Sequence, residues 1–331
     1  MRTILFHLLL LAISVTDSHS QPMPPHLRIG ANPNIWFAQP SVIIGEGWDR
    51  EAGFVLEQKV YPGPAHNLQA FVAGELDGVN NNVAAALLAH DRGKKLKLVA
   101  ATFAGDISII VQPEVGPTPS TGGLAQLKGF RAAHGRRFKL ATNPRGSLSD
   151  LTVRRWLDSA WPEYESDLEL ISAGDQAQLQ QLFLSKSADG CAGFGSLLWL
   201  FQEKITATTE LIPPDQLMRD QPGGALMMSE EFTIRHPEQV AALAKLYRRA
   251  SELIRRDPAR AAEHIDKYLT SGFVPRGLLE ASLKARREFV ISDLEPMRRP
   301  IEALAVYMHE KGYLKRLPTI DSLLLPVASH E

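Results

Sequence analysis

The chain carries a single cysteine in 331 residues. Cys191 therefore cannot form an intrachain disulfide or build a cysteine-rich zinc site, and its place in the apolar run GCAGF reads as a small buried core residue. An excess of either charge is also missing: 36 basic side chains stand against 37 acidic ones. That balance supplies no basic face for nucleic acid or an anionic membrane. After residue 20 no apolar run approaches the roughly 18 residues of a membrane span. Sequence signatures of catalysis are lacking too. There is no Gly-x-Ser-x-Gly elbow, no His-Glu-x-x-His and no phosphate loop ending Gly-Lys-Ser/Thr. GFGSLL (193–198) opens like a dinucleotide fingerprint but lacks the third glycine, and GEGWDREAG fails the spacing. The ten histidines are scattered without metal spacing. These absences point away from an enzyme and lead us to expect no metal, no cofactor and no nucleic-acid partner.

What is present is the composition of an ordinary globular protein, 44% apolar and 22% charged, long enough for one large domain or two medium ones. The N-terminus differs from the rest. Arg2 precedes an apolar run from Ile4 to Val15, and Ser18 and Ser20 occupy the −3 and −1 places of a cut before Gln21. This reads as a secretory signal peptide over residues 1–20. No cysteine follows the run to take a lipid, so the expectation is a soluble exported protein held in a periplasm.

Beyond it, strands and helices alternate. LRIGAN (27–32), FVLEQKVY (54–61), GVNN, LKLVAATF (96–103) and ISIIVQP (107–113) read as strands, and NLQAFVAGEL (67–76) and VAAALLAHDRG (83–93) as helices. PEVGPTPSTGG (113–123) is the clearest break. A second α/β unit follows: FKLATN, a helix from Ser147 to Ala160, LELISA, QAQLQQLFLSK, GCAGF, LLWLFQEK and TATTEL. PPDQLMRDQPGG (213–224) closes it. Then come ALMMSEEF and a helical tail in which Val240, Leu243, Tyr247, Ala250 and Ile254 recur at steps of three and four. The expected organisation is a first lobe of 27–113 plus 224–331, a second of 123–213, and hinge segments at 113–123 and 213–224. Two lobes joined by two crossings form a cleft, and ligands favour the carboxyl ends of strands there.

Four strand-to-helix joins carry most of the polar and aromatic chemistry. In NPRGSLSD (143–150), Gly146 permits close backbone approach, Ser147 can cap a helix, and Arg145 adds a donor fork. Asp150 stands three residues beyond Ser147, as in a capping box, and competes for the same N–H groups. The segment is a helix cap or an anion cup, and local chemistry leaves both open. VNNNVA (79–84) offers the amides of Asn80, Asn81 and Asn82, either as turn chemistry or as ligand contacts. NPNIWFAQPS (32–41) places Trp36, Phe37 and Gln39 after the first strand, as core cover or as a pocket floor. GFGSLLW sets Phe194 and Trp199 after another strand.

In its order of segments the chain resembles the periplasmic substrate-binding proteins of the nitrate, sulfonate and taurine class of ABC importers. The resemblance runs through LRIGANPNIWFAQPSVIIGEGWDREAGFVLEQKVYPGPAHNLQAFVAGELDGVNNNVAAALLA, then LAQLKGFRAAHGRRFKLATNPRGS, then GALMMSEEFTIRHPEQVAALAKLYRRASELIRRDPARAAEHI. It implies an α/β, two-lobed type II periplasmic binding protein fold, each lobe a mostly parallel sheet flanked by helices, with a helical C-terminal tail. It implies capture of a small anionic or polar solute by a monomer that serves a membrane permease and its ATPase. The implied contacts are Trp36, Phe37 and Gln39; Asn80, Asn81 and Asn82; Arg145, Gly146, Ser147 and Leu148; and Gly193, Phe194 and Trp199. It also favours the ligand-binding reading of NPRGSLSD. Related chains include makers of a pyrimidine precursor, which rely on a cysteine-rich motif; one cysteine and an export signal weigh against that alternative. A ligand-sensing module for a membrane receptor is a third reading. N-terminal sequencing of the protein from a periplasmic fraction should begin near Gln21; a full-length product in the cytoplasm would overturn the export reading.

Overall fold

A computed structural model describes residues 25–116 and 122–325, the side chain of Trp199 excepted. The signal peptide expected over 1–20 lies outside the described residues, as do positions 117–121 of the first expected hinge. Among the described residues ten strands form two sheets. They are β1 (His26–Ala31), β2 (Val55–Val60), β3 (Gly78–Asn82), β4 (Leu96–Phe103), β5 (Ile107–Val111), β6 (Phe138–Thr142), β7 (Leu168–Ser172), β8 (Gly190–Phe194), β9 (Thr209–Ile212) and β10 (Gly224–Ser229). The first sheet has the order β2-β1-β3-β10-β4 and the second β7-β6-β8-β5-β9.

Each sheet has four strands running one way and one running against them. In the first sheet β10 is antiparallel to both β3 and β4; in the second β5 is antiparallel to both β8 and β9. The cause is the path of the chain. The other strands run toward the edge that faces the opposite sheet. A strand that follows a crossing enters at that edge, so β5 and β10 must run away from it. The registers Gly224↔Asn82, Gly224↔Phe103 and Ile107↔Phe194 fix both edges. The ends of β1, β3, β4, β6 and β8 thus meet across the junction, as the doubly wound geometry requires of a ligand site.

One boundary differs from expectation. The strand at 107–111, assigned from sequence to the first lobe, is an interior strand of the second sheet. The first crossing is therefore Ala104–Asp106, not 113–123. The proline- and glycine-rich stretch begins at the far end of β5, where Gln112 N donates to Asp189 O at 2.9 Å, just before β8. The stretch leads from β5 to the helix Gly123–His134, which packs on β6 and β9 of the same sheet. The return crossing runs from the end of β9 to the start of β10, over 213–223.

Local sequence accounts for the elements. β4 and β5 are buried along nearly their whole length and so are mostly apolar without strict alternation. Helix starts at Asn82, Ser147, Asp175, Ser229 and Asp257 are each capped by their own side chain. In the helix Pro237–Arg256 the five residues of the expected apolar face are all buried. This helix packs on β4, and Val290 and Leu324 each make a bridge to β4, so the C-terminal region belongs with the first sheet.

The two crossings also pack on each other. A methyl group at Gly223 would collide with the backbone carbonyl of Phe103 and with Ala104 Cα. Neither is a flexible side-chain end, so Gly223→Ala should destabilise the fold by about 1–3 kcal/mol or more. Gly129, mid-helix in Gly123–His134, has open space at that point, and Gly129→Ala should instead stabilise by about 0.4–1 kcal/mol. Chemical denaturation of both variants checks this. Equal midpoints for Gly223→Ala and wild type would mean the crossings are not in contact.

Candidate functional site

Four aromatic rings close the junction between the sheets. Phe103, at the end of β4, stacks with Trp36 at 5.9 Å and meets Phe37 edge-on at 5.7 Å. From the second sheet Phe194, at the end of β8, meets Phe103 edge-on at 5.2 Å. Trp36 and Phe37 lie in a short 3₁₀ turn whose start is capped by Asn34, which accepts from Trp36 N at 3.0 Å. Trp36, Phe37 and Phe103 are buried and Phe194 is half-buried. Sequence reasoning named three of these rings; Phe103 was hidden inside an apolar strand.

The amides divide their work. Asn82 caps the helix Val83–Asp91 by accepting from Ala85 N at 3.0 Å. Asn81 donates to Asn67 Oδ1 and to Pro64 O, both at 2.8 Å. Asn80 accepts from the Tyr247 hydroxyl at 3.1 Å, on the helix Pro237–Arg256. Gln39 turns inward, donating to Thr102 O at 3.0 Å and to Ser251 Oγ at 3.3 Å. Most of this chemistry fastens β3 and the first helix to the core. Among the buried polar atoms that make no hydrogen bond are Asn80 Nδ2, Thr102 Oγ1 and Ser108 Oγ. Thr102 Oγ1 lies beside the Phe37 and Phe103 rings at the position where a side chain on Gly224 would project.

NPRGSLSD caps its helix, and the N–H groups of Gly146, Ser147 and Asp150 are bonded within the segment. Gly146 takes a left-handed φ of 83° and turns its N–H to Asp150 Oδ2 at 2.9 Å. The fully buried Asp150 also accepts from Thr142 Oγ1 at 3.2 Å and pairs with Arg154 at 2.9 Å. Ser147 accepts from Asp150 N at 3.4 Å. A carboxylate thus already sits at the helix start where the expected anion would bind. Leu148 is a core residue, and Arg145 is exposed and donates to the Tyr313 hydroxyl at 3.3 Å. Gly193 is buried in β8 opposite Ser108. Trp199 lies in the helix Ser196–Gln202, with its side chain outside the described residues.

Sequence reasoning missed the charged knot at the first crossing. Asp106 is fully buried with a left-handed φ of 69°, uncommon outside glycine although aspartate adopts it more readily than most residues. Its carboxylate accepts from Gly195 N at 3.1 Å and lies 3.4 Å from Arg286 Nε. Arg286 in turn bonds Glu210 on β9 at 2.5 Å. Burial pushes the Asp106 carboxyl up to about 8; Glu210 adds to the rise, while Arg286, the Trp36 indole and Gly195 N–H oppose it. The Trp36 N–H faces that carboxylate without the geometry of a full hydrogen bond. A lone Asp in a loop and a distant Arg leave no pattern in the sequence; only the fold brings them together.

Two facing sheets joined by two crossings, with an aromatic and polar junction between their strand ends, define a two-lobed periplasmic binding protein fold. The chain belongs to the NMT1-like family, whose model matches residues 20–267. Among solved structures it is similar to the alkanesulfonate-binding protein SsuA of Xanthomonas axonopodis pv. citri bound to MOPS, with a TM-score of 0.70 and 17% identity over 92% of this chain and 99% of that one. The periplasmic aliphatic sulphonate binding protein SsuA of Escherichia coli gives 0.74 and 16%, over 93% and 94%. The periplasmic nitrate-binding protein NrtA of Synechocystis PCC 6803 gives 0.72 and 14%, over 90% and 83%. At these identities the likeness is one of fold. No curated protein matches the chain.

The raised Asp106 carboxyl carries a stability signature. An ordinary aspartate, at 3.8, is ionised in the unfolded chain well below the pH at which the folded group loses its proton. Between those two values the folded state holds the extra proton, so stability falls as pH rises from about 4 to about 8 and levels off above. Asp106→Asn lacks this term. Its melting temperature relative to wild type should therefore climb between about pH 5 and about pH 8.5. A flat difference across that range would show that Arg286 keeps Asp106 ionised throughout.

Proposed function

We propose that the protein is an extracytoplasmic solute-binding protein that closes its two lobes on a small polar solute and delivers it to a membrane permease and ATPase. One observation carries this reading: buried hydroxyls without partners, Thr102 Oγ1 and Ser108 Oγ, lie next to the strand ends that face the junction, with the rings of Trp36, Phe37, Phe103 and Phe194. Buried polar groups are nearly always paired, so such a set points to an occupant that supplies acceptors. Stacked rings beside a few hydrogen-bonding groups make the usual lining of a small-molecule site. The similar sulfonate- and nitrate-binding proteins, whose solutes are rich in acceptor oxygens, support the same role.

The solute class follows from where the full charges are. Asp150 fills the helix start, Arg145 faces outward, and Arg286 is shared between Asp106 and Glu210. The solute is then held by uncharged donors rather than by a bare cation. A sulfonate, a nitrate and an uncharged carbonyl compound share that acceptor chemistry. Retention in a periplasm, residence as a monomer and hinge motion about Ala104–Asp106 and 213–223 belong to this reading.

Native mass spectrometry of freshly purified protein should find a co-purified small molecule. Calorimetry with ethanesulfonate, nitrate and uracil then separates the sources. Thr102→Val keeps the packing and removes one donor, and should weaken binding of the active probe by about two- to tenfold. Unaltered affinity in Thr102→Val would make that hydroxyl a core group. A wild-type protein that carries no molecule and binds none of the probes would count against the solute-binding reading.

A further inference from the structure

A second tie joins the lobes, apart from the crossings. The helix Arg298–Glu310 packs on the helix Val83–Asp91 of the first lobe. Just beyond it, Lys315 N and Arg316 N donate to Asp91 Oδ1 at 2.9 and 3.2 Å, which anchors the strap to the same helix. From this base three side chains reach the second lobe. Tyr307 OH donates to Asp158 Oδ2 at 2.9 Å, and Lys311 Nζ lies 2.8 Å from the same oxygen. Tyr313 OH accepts from Arg145 Nε at 3.3 Å. The Tyr313 ring also lies over Gly146, close enough that a methyl there would sit 3.4 Å from it. Asp158 and the Arg145–Gly146 pair belong to the helix Leu148–Ala160 and the turn before it, on the second sheet's side of the junction.

We infer that the strap 298–316 is a latch, fixed to the first lobe and holding the second through Asp158, Arg145 and Gly146. This rests on the reading of the protein as one that opens and closes on a solute. An exposed ion pair alone is worth little. Here one carboxylate oxygen takes both a charged donor and a hydroxyl donor, and that hydroxyl belongs to Tyr307, a buried side chain with few other places to turn. Burial and the bond to Asp158 raise the Tyr307 hydroxyl far above the ordinary tyrosine range, so it remains a donor at any physiological pH. The arrangement also gives Arg145 and Gly146 a role unlike the ligand contact expected from sequence. They receive the strap.

The latch can be tested without knowing the solute. Spin labels at His66→Cys, in the first lobe, and Ala177→Cys, in the second, report the separation of the lobes; both positions are exposed. The native Cys191 is buried, with its thiol pushed up by that burial, and stays unlabelled. Asp158→Ala should raise the ratio of long to short distances about ten- to a hundredfold, in line with the loss of a hydrogen bond to a charged group. Lys311→Met, which keeps the apolar stem, should give a smaller shift in the same direction and serves if Asp158→Ala folds poorly. Arg286→Met, which breaks the knot at the crossing, is the reference. If Arg286→Met lengthens the distances and neither latch variant does, the latch is wrong while lobe motion stands. If no variant moves the distribution, the lobes are one rigid body, and the latch and the closing motion fail together.

Discussion

The protein passes twice between two sheets, and the close approach of those two passages is the constraint on which the rest depends. Gly223 lies against the Phe103 carbonyl, so the return passage is seated directly on the first. The first is three residues long, Ala104–Asp106, and can complete its turn only with positive φ at both Gly105 and Asp106. An aspartate in that conformation costs on the order of 1 kcal/mol or more. It persists because Gly195 N and Arg286, the latter held in turn by Glu210, meet its carboxylate. Once both passages are fixed, β5 and β10 must run backward, the strand ends must face one another, and the aromatic rings of Trp36, Phe37, Phe103 and Phe194 fall into the space between.

Much of this is legible from the residues. Strand and helix alternation marks the α/β class, because period-2 and period-3.6 patterns arise from local geometry that the fold keeps. The helix at Ser147 is legible through its cap, and the two-lobed plan through the order of segments. The first crossing is not. Ala-Gly-Asp carries no proline and a single glycine, whereas PEVGPTPSTGG looks like a linker and is a connection within one lobe. Composition marks where the chain leaves a sheet for solvent. It is silent where the chain leaves one sheet for another and remains buried. The same silence hid Phe103, Thr102 and Ser108, whose neighbours in sequence are ordinary strand residues.

NPRGSLSD shows how a motif's inventory differs from its occupancy. Glycine, a capping serine, an arginine and free helix N–H groups are the parts of an anion site. Asp150 is also part of the segment, and a carboxylate tethered four residues away has an effective concentration that a free anion does not match. With Thr142 and Arg154 completing its bonds, it holds Gly146 N against any competitor. The arginine, deprived of that role, bonds Tyr313 on the C-terminal strap.

The distribution of charge then carries a consequence for selectivity. In a buried junction a full positive charge would attract any small anion, with little regard for shape. This chain neutralises its buried and half-buried charges internally: Asp150 with Arg154, Asp158 with Lys311, and Arg286 with Asp106 and Glu210. What remains facing the junction is a set of neutral donors and flat rings. Neutral donors bind more weakly than charged ones, but they demand acceptors at set places, because a buried donor left unpaired costs about 1–3 kcal/mol. On the proposed reading, recognition built this way would reject a solute of the right charge and wrong shape. It also leaves closure to be completed by contacts outside the junction, which is the work the strap from Tyr307 to Tyr313 is placed to do.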